Sequence, residues 1–149
     1  MKYSVLYFSN QNIQNSLEHF KNDENCVQIV VSAKPEQLLK LAQKPMKKVQ
    51  FVSQSGKAYV DLFNGLKAIS QDNVILVQSD DITEVAIQKV YEKLQTYPAV
   101  SYEESVQGFD TRLLMFCLQY AIEMNVEIES YMQAVSMFAS TPIAHVEGN

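Results

Sequence analysis

The sequence predicts one α/β domain, a three-layer sandwich in which helices cover both faces of a mostly parallel, Rossmann-like sheet. Its 149 residues, 47% hydrophobic and 19% charged, suffice for one domain with a buried core. Short apolar runs alternate with amphipathic stretches along the whole chain, as in strand–helix–strand units. No linker or internal repeat interrupts this alternation, so we expect residues 1–149 to form a single domain with about five to seven strands.

The first half of the chain is predicted to contain three strands with helices between them. The apolar run YSVLYF forms the first strand, and Ile13, Leu17 and Phe20 then recur at helical spacing. Pro35 suits the first turn of a helix, where its missing N–H has no partner to lose, and Pro45 stops that helix. The predicted elements are strand Tyr3–Phe8, helix Gln11–Lys21, strand Val27–Val31, a helix from Pro35, and strand Val49–Val52.

The second half repeats this pattern. Apolar residues recur at helical spacing from Ala58, and Val74–Val77 has the composition of a buried parallel strand. Asp110 can cap a long apolar helix, because its carboxylate accepts unpaired N–H groups of the first turn. The predicted elements are a helix from Ala58, strand Val74–Val77, helix Ile82–Leu94, strand Pro98–Tyr102, a helix from Asp110 to Met124, helix Tyr131–Phe138 and strand Ile143–Val146.

Charge and composition argue against two classes of function. Twelve basic and 17 acidic residues give a net charge of −5 at pH 7, which repels the phosphate backbone of nucleic acids. No apolar run approaches the roughly 18–20 residues that cross a bilayer, and the first residues lack the pattern of a signal peptide. We therefore expect a cytoplasmic protein without nucleic-acid or membrane partners.

Cys26 and Cys117 lack the spacing of a zinc site or disulfide framework and are predicted to be core residues.

Glycine and arginine are both scarce, which limits how the chain could bind phosphate. The four glycines are far apart, so no glycine-rich loop can cradle a phosphate group. Arg112 is the single arginine, and therefore the one side chain able to hold a phosphate with a rigid bidentate fork.

Six segments spread along the chain follow the pattern of a known family. They are LEHF with VQIVVSAKPE, LFNGLKA, VILVQSDD, the segment Gln107–Asp110, and the segment Pro142–Gly148. In this order they resemble the cytidylyltransferases that activate sugar and polyol phosphates, above all the 2-C-methyl-D-erythritol 4-phosphate cytidylyltransferase family. The resemblance implies a nucleotidyltransferase-type sheet and a nucleotide ligand of the CTP type.

The departures from that family fall on the residues that carry its chemistry. In place of the family's glycine-rich loop, Ser9 and Asn10 lead almost directly into the first helix, and they are the residues left there to contact phosphate. The family's Arg and Ser on the Asn-Gly-Leu helix would fall on Ala58 and Asp61, and a carboxylate at Asp61 would repel a nucleotide. Its metal-proximal His-Asp pair falls on Gln78–Ser79. The resemblance therefore implies a shortened and degenerate relative.

Asp80 and Asp81 are the predicted metal ligands. They directly follow a buried strand, at the carboxyl end where α/β sheets bind ligands, and adjacent carboxylates suit Mg²⁺ or Mn²⁺. The same Ser-Asp-Asp placement resembles the metal motif of glycosyltransferases built on a related fold. The alternative is structural, since Asp81 and Glu84 have the spacing of a capping box at the next helix.

The segment Ser53–Lys57 is the closest approach to an anion site, because it precedes a helix N-terminus and includes a base. Ser55 and Lys57 are its predicted phosphate contacts, and Arg112 is a further one. The segment lacks the second glycine and the Ser or Thr of a P-loop. In the alternative interpretation, Ser55 caps the helix and binds no ligand.

The leading hypothesis for function is a non-catalytic domain that binds a protein partner, a sugar phosphate, or a nucleotide of the CTP, CDP or UDP type. One alternative is an active metal-dependent nucleotidyl- or glycosyltransferase that uses Asp80 and Asp81. Another is a purely structural or interaction subunit. The resembled family dimerises through an arm after its fifth strand, and Glu103–Gln107 is too short for such an arm. We therefore expect a monomer, or a homodimer packed on helices with Phe116 or Tyr120 at the contact.

Overall fold

The computed structural model describes residues 1–8, 14–41, 43, 47–78, 83–102, 106–128 and 130–146, apart from the side chains of residues 14–16, 41 and 58. Within these residues the strands are β1 (Tyr3–Phe8), β2 (Cys26–Ala33), β3 (Val49–Ser53), β4 (Asn73–Val77), β5 (Ala99–Tyr102), β6 (Val106–Asp110) and β7 (Ile143–His145). The helices are α1 (Gln14–Asn22), α2 (Pro35–Leu41), α3 (Ala58–Lys67), α4 (Glu84–Leu94), α5 (Thr111–Glu123) and α6 (Tyr131–Phe138).

All of these strands belong to one mixed sheet, in the order β3-β2-β1-β4-β6-β5-β7. β1 pairs in parallel with β2 and β4, and β2 pairs in parallel with β3. β6 is antiparallel to both β4 and β5, while β7 is parallel to β5. The predicted fold class, a mostly parallel α/β sandwich, is confirmed.

Alternating side chains of the strands build a separate core on each face of the sheet. In β1, Tyr3, Val5 and Tyr7 belong to the core that also contains residues of α1 and α4. Leu6 belongs to the other core, with residues of α3, α5 and α6. This alternation is the period of two expected for a strand, and here both faces are covered by helices.

Helix α3 packs unusually close to β1. A Cβ atom at Gly65 would lie 2.9 Å from Leu6 Cδ1, so this glycine lets the helix backbone approach the strand. Below the helix C-terminus, buried Gln28 donates from Nε2 to the Ala68 carbonyl at 2.6 Å and accepts from the Ser70 N–H at 2.9 Å. These contacts fix the position of α3 over the sheet, and with it the side chains of its first turn.

Most predicted elements are present, with boundaries that differ by a few residues. Helix Tyr131–Phe138 and strand Tyr3–Phe8 have the predicted bounds, whereas the start of the first predicted helix, residues 11–13, lies outside the described residues. β6 is a strand that the sequence analysis did not predict. Because Tyr102 pairs with Val106, residues 103–105 alone connect β5 to β6, too few for the dimerisation arm of the resembled family.

Candidate functional site

A cleft of about 320 Å³ opens at the carboxyl ends of the parallel strands. Phe8 ends β1, and Lys34, Gln54 and Gln78 directly follow β2, β3 and β4. The strand order reverses between β1 and β4, which is where open α/β sheets bind ligands. Gly56, Asp61 and Tyr131 are the other described residues that line it.

The Asp61 carboxylate, on the first turn of α3, holds the loop that leads into this helix. Oδ1 accepts hydrogen bonds from the Ser55 N–H at 2.6 Å and the Ser55 hydroxyl at 2.7 Å. Oδ2 accepts a hydrogen bond from the Gly56 N–H at 3.0 Å. Asp61 is only 5% exposed, and these bonds satisfy a carboxylate that would be costly to bury alone. The backbone donors that could have bound a phosphate are therefore paired with an internal anion.

This arrangement changes the interpretation of Ser53–Lys57. The alternative in which Ser55 caps α3 is wrong, because the N-cap residue is Lys57 and it makes no side-chain cap hydrogen bond. The Ser55 hydroxyl donates to Asp61 instead. Gly56 has a φ of 98°, a left-handed conformation that favours glycine and turns its N–H toward the carboxylate. Lys57 is exposed and is not among the residues that line the cleft.

Among the residues that the structure describes, the polar lining of the cleft is close to electrically balanced. Its charged members there are Lys34 and Asp61, and Lys34 is exposed directly before α2. Gln54 donates from Nε2 to the Ser32 carbonyl at 2.9 Å. The side chain of Gln78 is exposed and has no hydrogen-bond partner within the described part of the chain. From this described lining, a polyphosphate would meet one lysine and one carboxylate.

Two aromatic rings form one wall of the cleft. Phe8 and Tyr131 stack with ring centroids 6.0 Å apart and an angle of 28° between their planes. Tyr131 is the first residue of α6, and the Ser130 hydroxyl caps this helix by accepting from the Gln133 N–H at 3.0 Å. Burial raises the pKa of Tyr131 to about 12, with Tyr59 and Asp61 contributing through negative charge. The phenol therefore stays protonated at neutral pH.

Arg112 lies at the other end of the strands from the cleft. Because β6 is antiparallel to β4, Val106 pairs with Val77 at the carboxyl end and Asp110 pairs with Asn73 at the amino end. α5 starts directly after Asp110, so Arg112 is placed at the amino end of β4. The structure does not bring Arg112 together with Ser55 and Lys57.

Ser9, Asn10, Asp80 and Asp81 lie outside the described residues. The capping-box interpretation of Asp81 is wrong, because α4 begins at Glu84 and its N-cap is Thr83, whose hydroxyl accepts from the Ala86 N–H at 3.1 Å. Among the described residues, no group of three or more His, Cys, Asp or Glu side chains could hold a metal ion.

The cysteines are buried and unpaired, as predicted. Burial is the largest influence on Cys26 and raises its pKa to about 11, and burial also raises the pKa of Cys117. A buried thiol that stays protonated is a poor nucleophile, so both fit a packing role in the core.

The sequence analysis did not predict Phe8, Lys34 or Tyr131 as site residues. It named Gln54 only as part of Ser53–Lys57, and Gln78 only as the position of the resembled family's His-Asp pair. Lys34, Gln54 and Gln78 each follow a predicted parallel strand, and the rule that ligands bind at carboxyl ends would have singled them out. Tyr131 had no such signal, because α6 reaches the cleft only through tertiary packing.

Several solved structures share this architecture. The 4-diphosphocytidyl-2C-methyl-D-erythritol synthase of Anaerococcus prevotii DSM 20548 aligns with 99% of this chain and 87% of its own, with a TM-score of 0.84 and 14% identity. The chain has the cytidylyltransferase fold. The 2-C-methyl-D-erythritol 4-phosphate cytidylyltransferase of Thermus thermophilus aligns with 100% of this chain and 90% of its own, with a TM-score of 0.76 and 19% identity.

A more distant structure with this cytidylyltransferase fold is a CMP:2-keto-3-deoxy-manno-octonic acid synthetase complexed with CTP. It aligns with 99% of this chain and 90% of its own, with a TM-score of 0.67 and 11% identity. No protein-family model and no curated protein matches the sequence. The resemblance drawn from the sequence is thus confirmed at the level of the fold. No helix within the described ranges has both the length and the apolar character needed to cross a membrane.

Proposed function

We propose that this chain is a nucleotide-binding domain with the cytidylyltransferase fold that binds its ligand without transferring a nucleotidyl group. Its binding site is the cleft at the carboxyl ends of β1 to β4, where Phe8 and Tyr131 provide an apolar wall and Lys34 provides one positive charge. The fold supports the choice of a nucleotide, because one of the structures that share it is a complex with CTP.

The single observation that supports the absence of nucleotidyl transfer is the pairing of Asp61 with Ser55 and Gly56. Nucleotidyl transfer requires donors aimed at the phosphate oxygens, where negative charge develops during the reaction. Here the nearby backbone N–H groups already donate to a buried carboxylate. Losing even one preorganised donor lowers a rate by about 10²–10³. The sequence also has no glycine-rich loop between Phe8 and α1 that could replace these donors.

Two assays test this proposal together. Incubation with CTP, Mg²⁺ and a polyol phosphate should release no more pyrophosphate than a control without protein. Calorimetry with CMP should give a Kd between about 10 µM and 1 mM, as expected for a small ligand in an open cleft. Pyrophosphate release above the control would contradict the proposal in favour of an active transferase. Absence of any nucleotide binding would contradict it in favour of an interaction subunit.

The role of Lys34 can be tested with a matched pair of variants. Lys34→Ala should weaken CMP binding by about threefold and leave cytidine binding unchanged, because an exposed ion pair contributes less than about 1 kcal/mol. Lys40→Ala removes the same charge from the other end of α2, outside the cleft lining, and should have no effect on either ligand. Equal effects of the two variants would show that general charge, and not this site, attracts the phosphate.

Asp80 and Asp81 are the residues that would hold Mg²⁺ or Mn²⁺ in this proposal. They follow the cleft residue Gln78 closely in sequence. Hard cations require several oxygen ligands, so affinity should need both carboxylates. Calorimetric titration of Mn²⁺, with and without CMP, should give heat that the double variant Asp80→Asn/Asp81→Asn loses. Equal heats for the parent and the double variant would remove the metal from the proposal.

A further inference from the structure

Helix α5 presents an apolar surface to solvent. Phe116 is 57% exposed and Tyr120 is 43% exposed, and their ring centroids lie 6.1 Å apart. Tyr120 also contacts Phe138 of α6, with ring centroids 5.1 Å apart, so the surface reaches the neighbouring helix. Ile122 and Met124, at the end of α5, are exposed as well. Exposed aromatic and aliphatic side chains that cluster in this way are typical of protein–protein contacts.

Charged residues of opposite sign lie at the two ends of this surface. Arg112, Phe116, Tyr120 and Glu123 follow one another at spacings of three or four residues, so they share one side of α5. Arg112 and Glu123 are exposed, and neither is paired with an opposite charge in the part of the chain that the structure describes. The Glu123 carboxylate accepts one hydrogen bond, at 3.1 Å, from the neutral amide of Gln119.

Both charges oppose the dipole of their own helix. A helix carries partial positive charge at its N-terminus and partial negative charge at its C-terminus, so a base is unfavourable in the first turn and an acid in the last. After the N-cap Asp110, the first turn of α5 contains Arg112 and no acid, and the last turn contains Glu123 and no base. An antiparallel second helix reverses both effects, because each charge then faces an opposite charge and the favourable end of the other helix.

We propose that this surface binds a second copy of the chain, with the two α5 helices antiparallel about a twofold axis. Arg112 and Glu123 stand at equal distances from the middle of the stripe, so twofold symmetry brings Arg112 of each protomer to Glu123 of the other. Phe116 then packs beside Tyr120 of the other protomer. The occupant is a second copy because one surface supplies both complementary charges and both halves of the apolar contact.

The size of the surface sets the strength of the contact. Its four apolar side chains on α5 are each about half exposed and offer roughly 300–400 Å² per protomer. Stable interfaces bury about 800 Å² per partner, and the net charge of −5 on each protomer also opposes association. We therefore expect a reversible dimer with a Kd on the order of 10–100 µM.

Charge reversal tests the antiparallel arrangement. Sedimentation velocity from about 5 µM to about 1 mM should show monomer at the low end and dimer at the high end. Arg112→Glu and Glu123→Arg should each raise the dimer Kd at least about tenfold, because two symmetry-related ion pairs become two like-charge contacts. Lys40→Glu and Glu36→Arg make the same changes in net charge at exposed positions of α2 and should change the Kd less than about threefold.

A one-to-one mixture of Arg112→Glu and Glu123→Arg restores complementary charges and should form a heterodimer with an affinity close to that of the parent. The double variant Arg112→Glu/Glu123→Arg should regain self-association for the same reason. Each reversal places a favourable charge at its end of α5, so circular dichroism should show no loss of helix in any of these variants. Loss of the dimer is thereby separated from loss of the fold.

A second pair of variants tests the apolar part of the contact. Phe116→Ser should raise the dimer Kd at least about tenfold, because it removes an aromatic side chain from the centre of the contact. Leu39→Ser removes a side chain that is 76% exposed on α2 and should leave the Kd unchanged.

Three results would overturn the inference. The first is a parent that stays monomeric up to about 1 mM, well above the expected Kd. The second is self-association that neither Arg112→Glu nor Phe116→Ser weakens. The third is a mixture of the two charge variants that associates no better than each variant alone, as parallel helices would require. The inference does not depend on nucleotide binding, and none of these results bears on the proposed function.

Discussion

The pairing of Asp61 with the Ser55–Gly56 loop should make a large contribution to stability. The carboxylate is 5% exposed and accepts partly buried hydrogen bonds of 2.6, 2.7 and 3.0 Å, so its removal deprives these donors of their charged partner. The variant Asp61→Asn keeps the size of the side chain and one carbonyl oxygen, but its amide nitrogen cannot accept the hydrogen bond from the Gly56 N–H. At about 1.5 kcal/mol or more for each hydrogen bond to a charged group, we expect a loss of about 2–3 kcal/mol.

Urea unfolding, followed by circular dichroism and extrapolated linearly to water, measures this loss. Ser55→Ala removes only the hydroxyl donor and should lower the free energy of unfolding by about 1 kcal/mol. In a double-mutant cycle, Ser55→Ala and Asp61→Ala should couple by about 1 kcal/mol, because together they remove both partners of one hydrogen bond. Asp72→Asn, an exposed carboxylate outside the cleft, serves as the control and should change stability by less than about 0.5 kcal/mol. A loss below about 0.5 kcal/mol for Asp61→Asn, or no coupling, would refute the reasoning.

Three other predictions concern packing, pH and assembly. Gly108→Ala should destabilise the fold by about 1–3 kcal/mol, because the added Cβ would lie 2.9 Å from Val90 Cγ1, and a wild-type urea midpoint would contradict this. The raised pKa of Cys26, from 9.0 to about 11, means that the unfolded chain releases this proton first as pH rises. The contribution of Cys26 to the free energy of unfolding is therefore complete below pH 9 and is lost between pH 9 and about 11. In Cys26→Ala, the free energy of unfolding should fall less steeply over this pH range, by about 1 kcal/mol per pH unit. Light scattering should give a monomer of 16.9 kDa, or a dimer that dissociates when exposed Phe116 or Tyr120 is changed to Ser. A dimer that survives both changes would contradict a contact on α5.

The elements that the sequence predicted well are those with a strong period or a clear cap. α6 has the predicted bounds, and Asp110 caps α5 by accepting from the Leu113 N–H at 3.0 Å, as expected. β6 was missed because VQGFD is short and contains a glycine that weakens a strand pattern. Its partners, β4 and β5, supply the pairing that the local sequence does not indicate.

The candidate site was harder to predict than the fold. The segment containing Ser55 was correctly placed beside a helix N-terminus, but its pairing with Asp61 depends on how the loop turns back across the first turn of α3. A carboxylate in that turn also suits the helix dipole, so the sequence alone does not separate the two roles. Arg112 is separated from this loop because β6 runs antiparallel to β4, and the sequence analysis did not predict β6.

The central claim, that the cleft at the carboxyl ends of β1 to β4 binds a nucleotide, is tested most directly by a titration of the ¹⁵N-labelled protein with CMP. Amide signals of Gln54, Gly56 and Gln78 should shift in proportion to occupancy, since these residues line the cleft. The signals of Asp72 and Arg112, which lie at the amino end of β4, should not shift. Shifts confined to the amino end of β4 or to the exposed face of α5, or no shifts at millimolar CMP, would contradict the account.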